Sequence, residues 1–258
     1  MDQDFVVFIE KVKSLAAVDL SMYKEAQMKR RLTAFRNKKG YSTFIGLYRA
    51  MTKDQKLLEE FIDRMTINVS EFWRNCKRWE SLRDQFLKEM IARSPHLKCW
   101  SAACSTGEEP YTLAMILHDL GALRTSSILA TDLDEKVLDA AKRGVYHERS
   151  VREVPEYYLQ RYLKRLETNE WEIADELRRA VKFKKHNLLA DRFESGYDLI
   201  ICRNVTIYFT DEAKAMLYHR FAEALKPGGI LFVGSTEQIF SPGQYGFETA
   251  DTFFYRRV

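Results

Sequence analysis

A chain of 258 residues, 46% hydrophobic and with a formal net charge of +4, can bury a large core without disulfides or metal clips, as one large domain or a small domain joined to a medium one. Its four cysteines (Cys76, Cys99, Cys104, Cys202) form no CxxC pair and its five histidines are scattered, which argues against a metal site and for reduced, buried thiols. No apolar run approaches the roughly 18 residues of a membrane span, and "MDQDFVVFIE" lacks the basic region of a signal peptide, so no membrane insertion is expected and the cytoplasm is the expected location.

The first elements read as helices. Residues 4–18 place Phe5, Phe8, Ile9, Val12 and Leu15 at helical spacing. A second helix spans about 21–38 and stops at Gly40, and Ser42 is the expected cap of a third. The third carries Leu47, Tyr48 and Met51, and a fourth carries Leu57, Leu58, Phe61, Ile62 and Met65. The charge excess sits here: residues 1–75 hold 14 Lys+Arg against 10 Asp+Glu, and the remaining residues hold 27 of each. Within the second helix Lys24, Lys29, Arg30, Arg31, Arg36 and Lys38 form a basic run, which suits an acidic partner or simply a solvated face. Aromatic interleaving for base stacking is lacking, so no nucleic acid is expected. A further helix is expected around 79–90, after a junction.

From residue 97 the pattern alternates. Strands are expected at 97–103, 128–132, 180–187, 197–204 and 230–235, with "DTFFYRRV" a sixth at the edge, and helix-length patterns lie between them. That rhythm predicts an α/β fold, a parallel sheet covered by helices on both faces. Residues 145–180 break it and read as an insertion of helix plus a small β excursion.

In such a sheet a ligand lies at the carboxyl ends of the strands. Those ends hold Ser101 to Glu109, Asp132, Asn187, Asn204 and Ser235 to Glu237. Asp132 follows Gly107 by 25 residues, close to the spacing at which an acid grips a ribose diol. The turn "CSTGEEP" has one glycine followed by two acids. Those acids would repel a pyrophosphate by about 1 kcal/mol per contact. A cationic nucleoside without phosphate, S-adenosylmethionine, suits the turn better. Both acids also suit the first turn of a helix.

The segments "SAACSTGEEPYTLAM", "ATDLDEKVLDAAKRGVY", "HNLL", "ICRNVTIYF", "LKPGGILFVGSTE" and "MTINVSEFWR" together closely resemble the chemotaxis receptor methyltransferase (CheR) family over nearly the whole chain. The resemblance implies a Rossmann-like S-adenosylmethionine-dependent methyltransferase sheet (residues 71–258, with a β insertion around 145–180). It also implies a small all-helical N-terminal domain (residues 1–70) that docks the receptor. The implied reaction is methyl transfer to the γ-carboxylate of receptor glutamates, leaving S-adenosylhomocysteine.

By the same resemblance, Asn68, Ser70 and Arg74 would reach the cofactor from the junction. Glu108, preferred to Glu109, would meet its methionyl end, and Asp132 its ribose. Asn187 and Leu188 would hold the adenine, Asn204 and Val205 would flank the fourth strand end, and Arg74 and Tyr208 would border the reacting carboxylate. The implied partners are acidic helices of chemotaxis receptors, and a monomer is expected. In some members a glycine-containing loop in the insertion tethers a receptor C-terminal peptide. Residues 145–195 contain no glycine, so recognition independent of that pentapeptide is expected. A glutamate carboxylate is already ionised at neutral pH (ordinary pKa about 4.3), so the reaction needs no catalytic base. Two other readings stand beside this one: an RNA or small-molecule methyltransferase on the same fold, and a catalytically idle module that senses the cofactor.

Overall fold

The computed structural model describes residues 3–66 and 68–258. Met1 and Asp2 of the acidic N-terminus and Ile67 of "MTINVSEFWR" lie outside the described residues.

Four helices come first: α1 (Gln3–Ala16), α2 (Glu25–Lys38), α3 (Phe44–Met51) and α4 (Gln55–Met65). Their apolar stripes close one cluster: Phe5, Phe8 and Val12 of α1 meet Met28, Leu32 and Phe35 of α2, with Leu47 of α3 and Phe61 of α4. Each such side chain contributes about 1.5–3 kcal/mol by leaving water. Asp4 accepts the N–H groups of Phe44 at 2.6 Å and Ile45 at 3.1 Å, so α1 caps α3. Two helix starts differ from expectation. Asp19 accepts from the Ser21 N–H at 3.1 Å and winds Leu20–Met22 into a separate 3-10 turn, so α2 begins at Glu25 rather than near 21. Thr43, not Ser42, caps α3, accepting the Gly46 N–H at 3.0 Å.

The junction passes through Trp73 and Asn75, both at left-handed φ (55° and 62°). It enters a helix built from α5 (Cys76–Ser81), a π-helical stretch (Leu82–Leu87) and α6 (Lys88–Arg93).

The alternating region runs β1 (Lys98–Ala102), α7 (Glu108–Asp119), β2 (Ser127–Asp132) and α8 (Glu135–Arg143). The insertion follows: β3 (Val145–His147), α9 (Glu156–Tyr162), β4 (Leu163–Arg165), β5 (Glu170–Ile173) and α10 (Asp175–Ala180). The chain then adds β6 (Val181–Lys185), β7 (Tyr197–Cys202), α11 (Asp211–Ala224), β8 (Leu225–Val233), β9 (Phe247–Asp251) and β10 (Phe254–Arg257). The main sheet has the order β6-β2-β1-β7-β8-β10-β9, and the insertion forms an antiparallel sheet β3-β5-β4. β6 to β8 run parallel, while β10 is antiparallel to both its neighbours. Leu199, Ile200, Ile201 and Cys202 of central β7 are all 0% exposed, as a parallel strand covered on both faces requires.

"DTFFYRRV" is not the sheet edge. β9 pairs outside β10 and takes that place. Its "FETAD" alternates weakly, with exposed residues in the middle, so periodicity did not mark it. Among the described residues no helix is long and apolar enough to cross a membrane.

The helical unit rests on the carboxyl ends of the strands. The Lys24 N–H donates to the Tyr208 carbonyl and the Thr210 N–H to the Met22 carbonyl, both at 2.9 Å. Asn187 Nδ2 donates to the Ala17 carbonyl at 2.7 Å. β1 lies between β2 and β7, so the chain leaves it in both directions and opens a crevice at its carboxyl end.

Candidate active site

The turn from β1 into α7 passes through three left-handed residues: Ala103 (φ 61°), Ser105 (49°) and Gly107 (94°). At Gly107 glycine is required, because a Cβ would also strike Ala141 of α8. The turn is fastened to β2: the Cys104 N–H donates to the Thr131 carbonyl at 2.9 Å and the Ser105 N–H to Asp132 Oδ2 at 2.8 Å. Asp132 also accepts the Asp134 N–H at 3.1 Å. Burial raises its carboxyl above the ordinary range, and those backbone N–H groups oppose the rise.

Beneath the helical unit lies a cavity lined by nine of the ten residues expected to bind cofactor or catalyse: Asn68, Ser70, Arg74, Asp132, Asn187, Leu188, Asn204, Val205 and Tyr208. Glu108 is the exception. It lines a neighbouring cavity, beyond the shared Asn68–Glu71 segment, and accepts from the Thr106 hydroxyl at 2.7 Å. Burial raises its pKa, while Thr106, Ser70 and Ser150 lower it. Glu109, passed over in the sequence, lines the main cavity instead. The two acids of the turn thus line different cavities: the first turn of α7 points Glu108 toward Thr106 and Ser70, and Glu109 toward Ser101.

The side-chain amides of Asn68 and Asn187 are already engaged. Asn68 Nδ2 donates to Asp134 at 3.2 Å. Asn187 holds Ala17 through its amide and accepts the Leu189 N–H at 2.9 Å. Both tie the cavity walls to one another. Arg74 meets the Val69 carbonyl at 3.4 Å, the long end for such a bond, which leaves its charge available to a carboxylate.

Sequence reasoning missed Arg203. Its guanidinium is buried beside the cavity, 4.7 Å from the Phe232 ring centroid. Nη2 donates to the Arg74 carbonyl at 2.8 Å and to Asn75 Oδ1 at 2.9 Å, and Nη1 lies 3.7 Å from Glu109 Oε2. Arg203 therefore grips the left-handed segment that presents Arg74. Glu109 Oε1 accepts the Ser101 hydroxyl at 2.8 Å. Burial pushes the Glu109 carboxyl up to about 7, against the lowering pull of Arg203 and Ser101. The signal available was the adjacency of Arg203 to Asn204 at a strand end, which says nothing about a partner as distant as Glu109.

The expected docking cations divide. Lys24, Arg30 and Lys38 are exposed. Lys29 lies over the Phe5 ring at 5.2 Å and Arg36 over Phe44 at 4.6 Å. Arg31 donates to the Met65 carbonyl and lies 5.5 Å from the Tyr208 ring centroid. Met65 and Tyr208 both line the cavity.

The family model described as CheR methyltransferase, SAM binding domain matches residues 68–254, and that for the CheR all-alpha domain matches residues 3–66. The chain belongs to the CheR methyltransferase family. A chemotaxis protein methyltransferase of Listeria monocytogenes is 44% identical over 99% of this chain and 97% of its own. Those of Pseudomonas aeruginosa (35%, over 91% and 89%) and Borreliella burgdorferi (32%, over 86% and 83%) are also similar. The solved structure of PKMT2 from Rickettsia typhi is similar over 54% of this chain and 21% of that one, at 18% identity and a TM-score of 0.35.

As a CheR methyltransferase the protein uses S-adenosylmethionine. The cavity fits that ligand. Asp132 and Glu109 supply carboxyls for a cationic nucleoside. The buried Ser105 Oγ and His186 Nε2, both on its wall, find no hydrogen-bond partner among the described residues, and a buried polar group calls for one.

Proposed function

We propose that this protein methylates glutamate side-chain carboxylates of chemotaxis receptors. The observation that carries the reading is that one cavity is lined by Asp132, at the end of β2, and by both Arg74 and Tyr208. Asp132 takes the ribose diol, the loop at Asn187 and Leu188 flanks the adenine, and Asn204 and Val205 close the side toward β7. Asn68 and Ser70 cover the cavity from the junction. Glu109 lines the side toward the cationic end, with Glu108 behind Ser70.

S-adenosylmethionine supplies an electrophilic methyl group on a sulfonium. The protein's part is to hold an ionised glutamate in line with it and keep water out. Arg74 orients the carboxylate by charge, and Tyr208 borders it. Opposite charges cancel as the methyl moves, so a dry, aligned site supplies most of the acceleration. The exposed Lys24, Arg30 and Lys38 suit an acidic receptor helix. The β4–β5 turn closes tightly, with the Leu166 N–H donating to the Glu170 carbonyl at 2.8 Å, which supports recognition without a C-terminal pentapeptide.

Transfer from labelled S-adenosylmethionine to receptor-bearing membranes tests the reading. Label released as methanol by mild base is expected, equally with receptors lacking the C-terminal tail. Base-stable label contradicts it, and loss of labelling with the tail contradicts pentapeptide independence. Arg74→Ala is expected to lower kcat roughly 30- to 100-fold, one charge-assisted contact, with cofactor Kd changed less than threefold. Equal losses in both would make Arg74 a cofactor-binding residue.

A further inference from the structure

Glu237 lies on the loop that leaves β8 and is 4% exposed. Its Oε1 accepts the N–H of Val205 at 2.9 Å, the N–H of Thr206 at 2.7 Å and the Thr206 hydroxyl at 2.8 Å. Its Oε2 accepts the N–H of Asn204 at 2.5 Å and of Gly234 at 2.8 Å. A buried carboxylate is costly unless its lone pairs are used, and here five donors converge on the two oxygens. Four come from the loop after β7, where Asn204 sits at a left-handed φ of 60°, an uncommon conformation for a residue with a side chain, and the fifth, the Gly234 N–H, comes from the end of β8. Gly234 is shaped to the same contact: a Cβ there would strike the Glu237 carboxylate and crowd the Asn204 amide.

What the carboxylate holds is both halves of the site. Asn204 and Val205 line the cavity. Thr206 opens the 3-10 turn Thr206–Tyr208, in which the Tyr208 N–H donates to the Val205 carbonyl at 3.2 Å. We propose that Glu237 is a positioning residue whose Oε2 fixes Asn204 on the cofactor side and whose Oε1 fixes Val205, where the two sides meet, and the turn that carries Tyr208 on the acceptor side. This rests on the reading of the cavity as the cofactor site with Tyr208 at the acceptor.

The two oxygens can be tested apart. In Glu237→Gln the remaining oxygen goes to the side with three donors, so the amide NH2 meets the N–H groups of Asn204 and Gly234. Calorimetry is expected to show cofactor Kd raised about tenfold or more, the cost of losing a hydrogen bond to a charged group. Its kcat at saturating cofactor should stay within about threefold of wild type. Thr206→Val removes a donor from the Oε1 side and is expected to do the reverse, lowering kcat about tenfold with Kd nearly kept. Thr206→Ser should restore kcat. A clamp that merely stabilises the fold would lower the melting temperature and leave both constants alone, or move both together in each variant, and either result overturns the proposal. If Glu237→Gln does not fold, Thr206→Val and its serine rescue decide by the same criteria. Wild-type protein that binds no cofactor in the same calorimeter would instead overturn the reading of the cavity.

Discussion

Arg203→Met is expected to lower the melting temperature by roughly 10 °C, from a loss of about 3–5 kcal/mol, and to lower kcat more than it raises cofactor Kd. Methionine fills the space of the guanidinium between Trp79 and Phe232 but leaves the Arg74 carbonyl and Asn75 without their donor. The Glu109 carboxyl loses its cation. A pH dependence follows. In the folded wild type Glu109 titrates at about 7, above its unfolded value. Stability therefore falls as pH rises from the unfolded value toward 7, and levels off above it. Without Arg203 the folded value rises further, so the variant goes on losing stability above pH 7. The gap in melting temperature should widen from about pH 7 to pH 9 and narrow below 7. A gap independent of pH would show that Glu109 and Arg203 are not coupled.

Asp132→Asn is expected to raise cofactor Kd about 100-fold in calorimetry, from two weakened hydrogen bonds to a charged acceptor at about 1.5 kcal/mol each. Asparagine keeps the shape, yet it sets an amide NH2 against either the Ser105 or the Asp134 N–H, which now donate to the two oxygens. The turn at Ser105 is then released on the wall of the cavity, so the variant disturbs both the ribose contact and the loop beneath it. A Kd within threefold of wild type would remove Asp132 from the cofactor site.

Helices α1 to α4 and the central strands were legible because each signal is local: an apolar stripe at helical spacing, or a buried run bounded by turns. The candidate site was legible to the extent that it sits at strand ends, which a parallel sheet dictates. The rest depends on distant partners. Which of Glu108 and Glu109 lines the main cavity is decided by the rotation of one helical turn against Ser70 and Ser101. Arg203 acts through the carbonyl of Arg74, and Glu237 through backbone amides of a loop that precedes it in the chain. No spacing rule connects those pairs. The same holds for Arg31: its place in a basic run carries no sign of its contacts with Met65 and Tyr208.

Mapping the methylated position on a receptor after turnover decides the chemistry of the acceptor. The methyl group is expected on side-chain carboxylates of glutamates within acidic helical segments, with no transfer to a receptor in which those glutamates are replaced by alanine. Label on a lysine, an arginine or a chain terminus, or undiminished transfer to the alanine receptor, would contradict it.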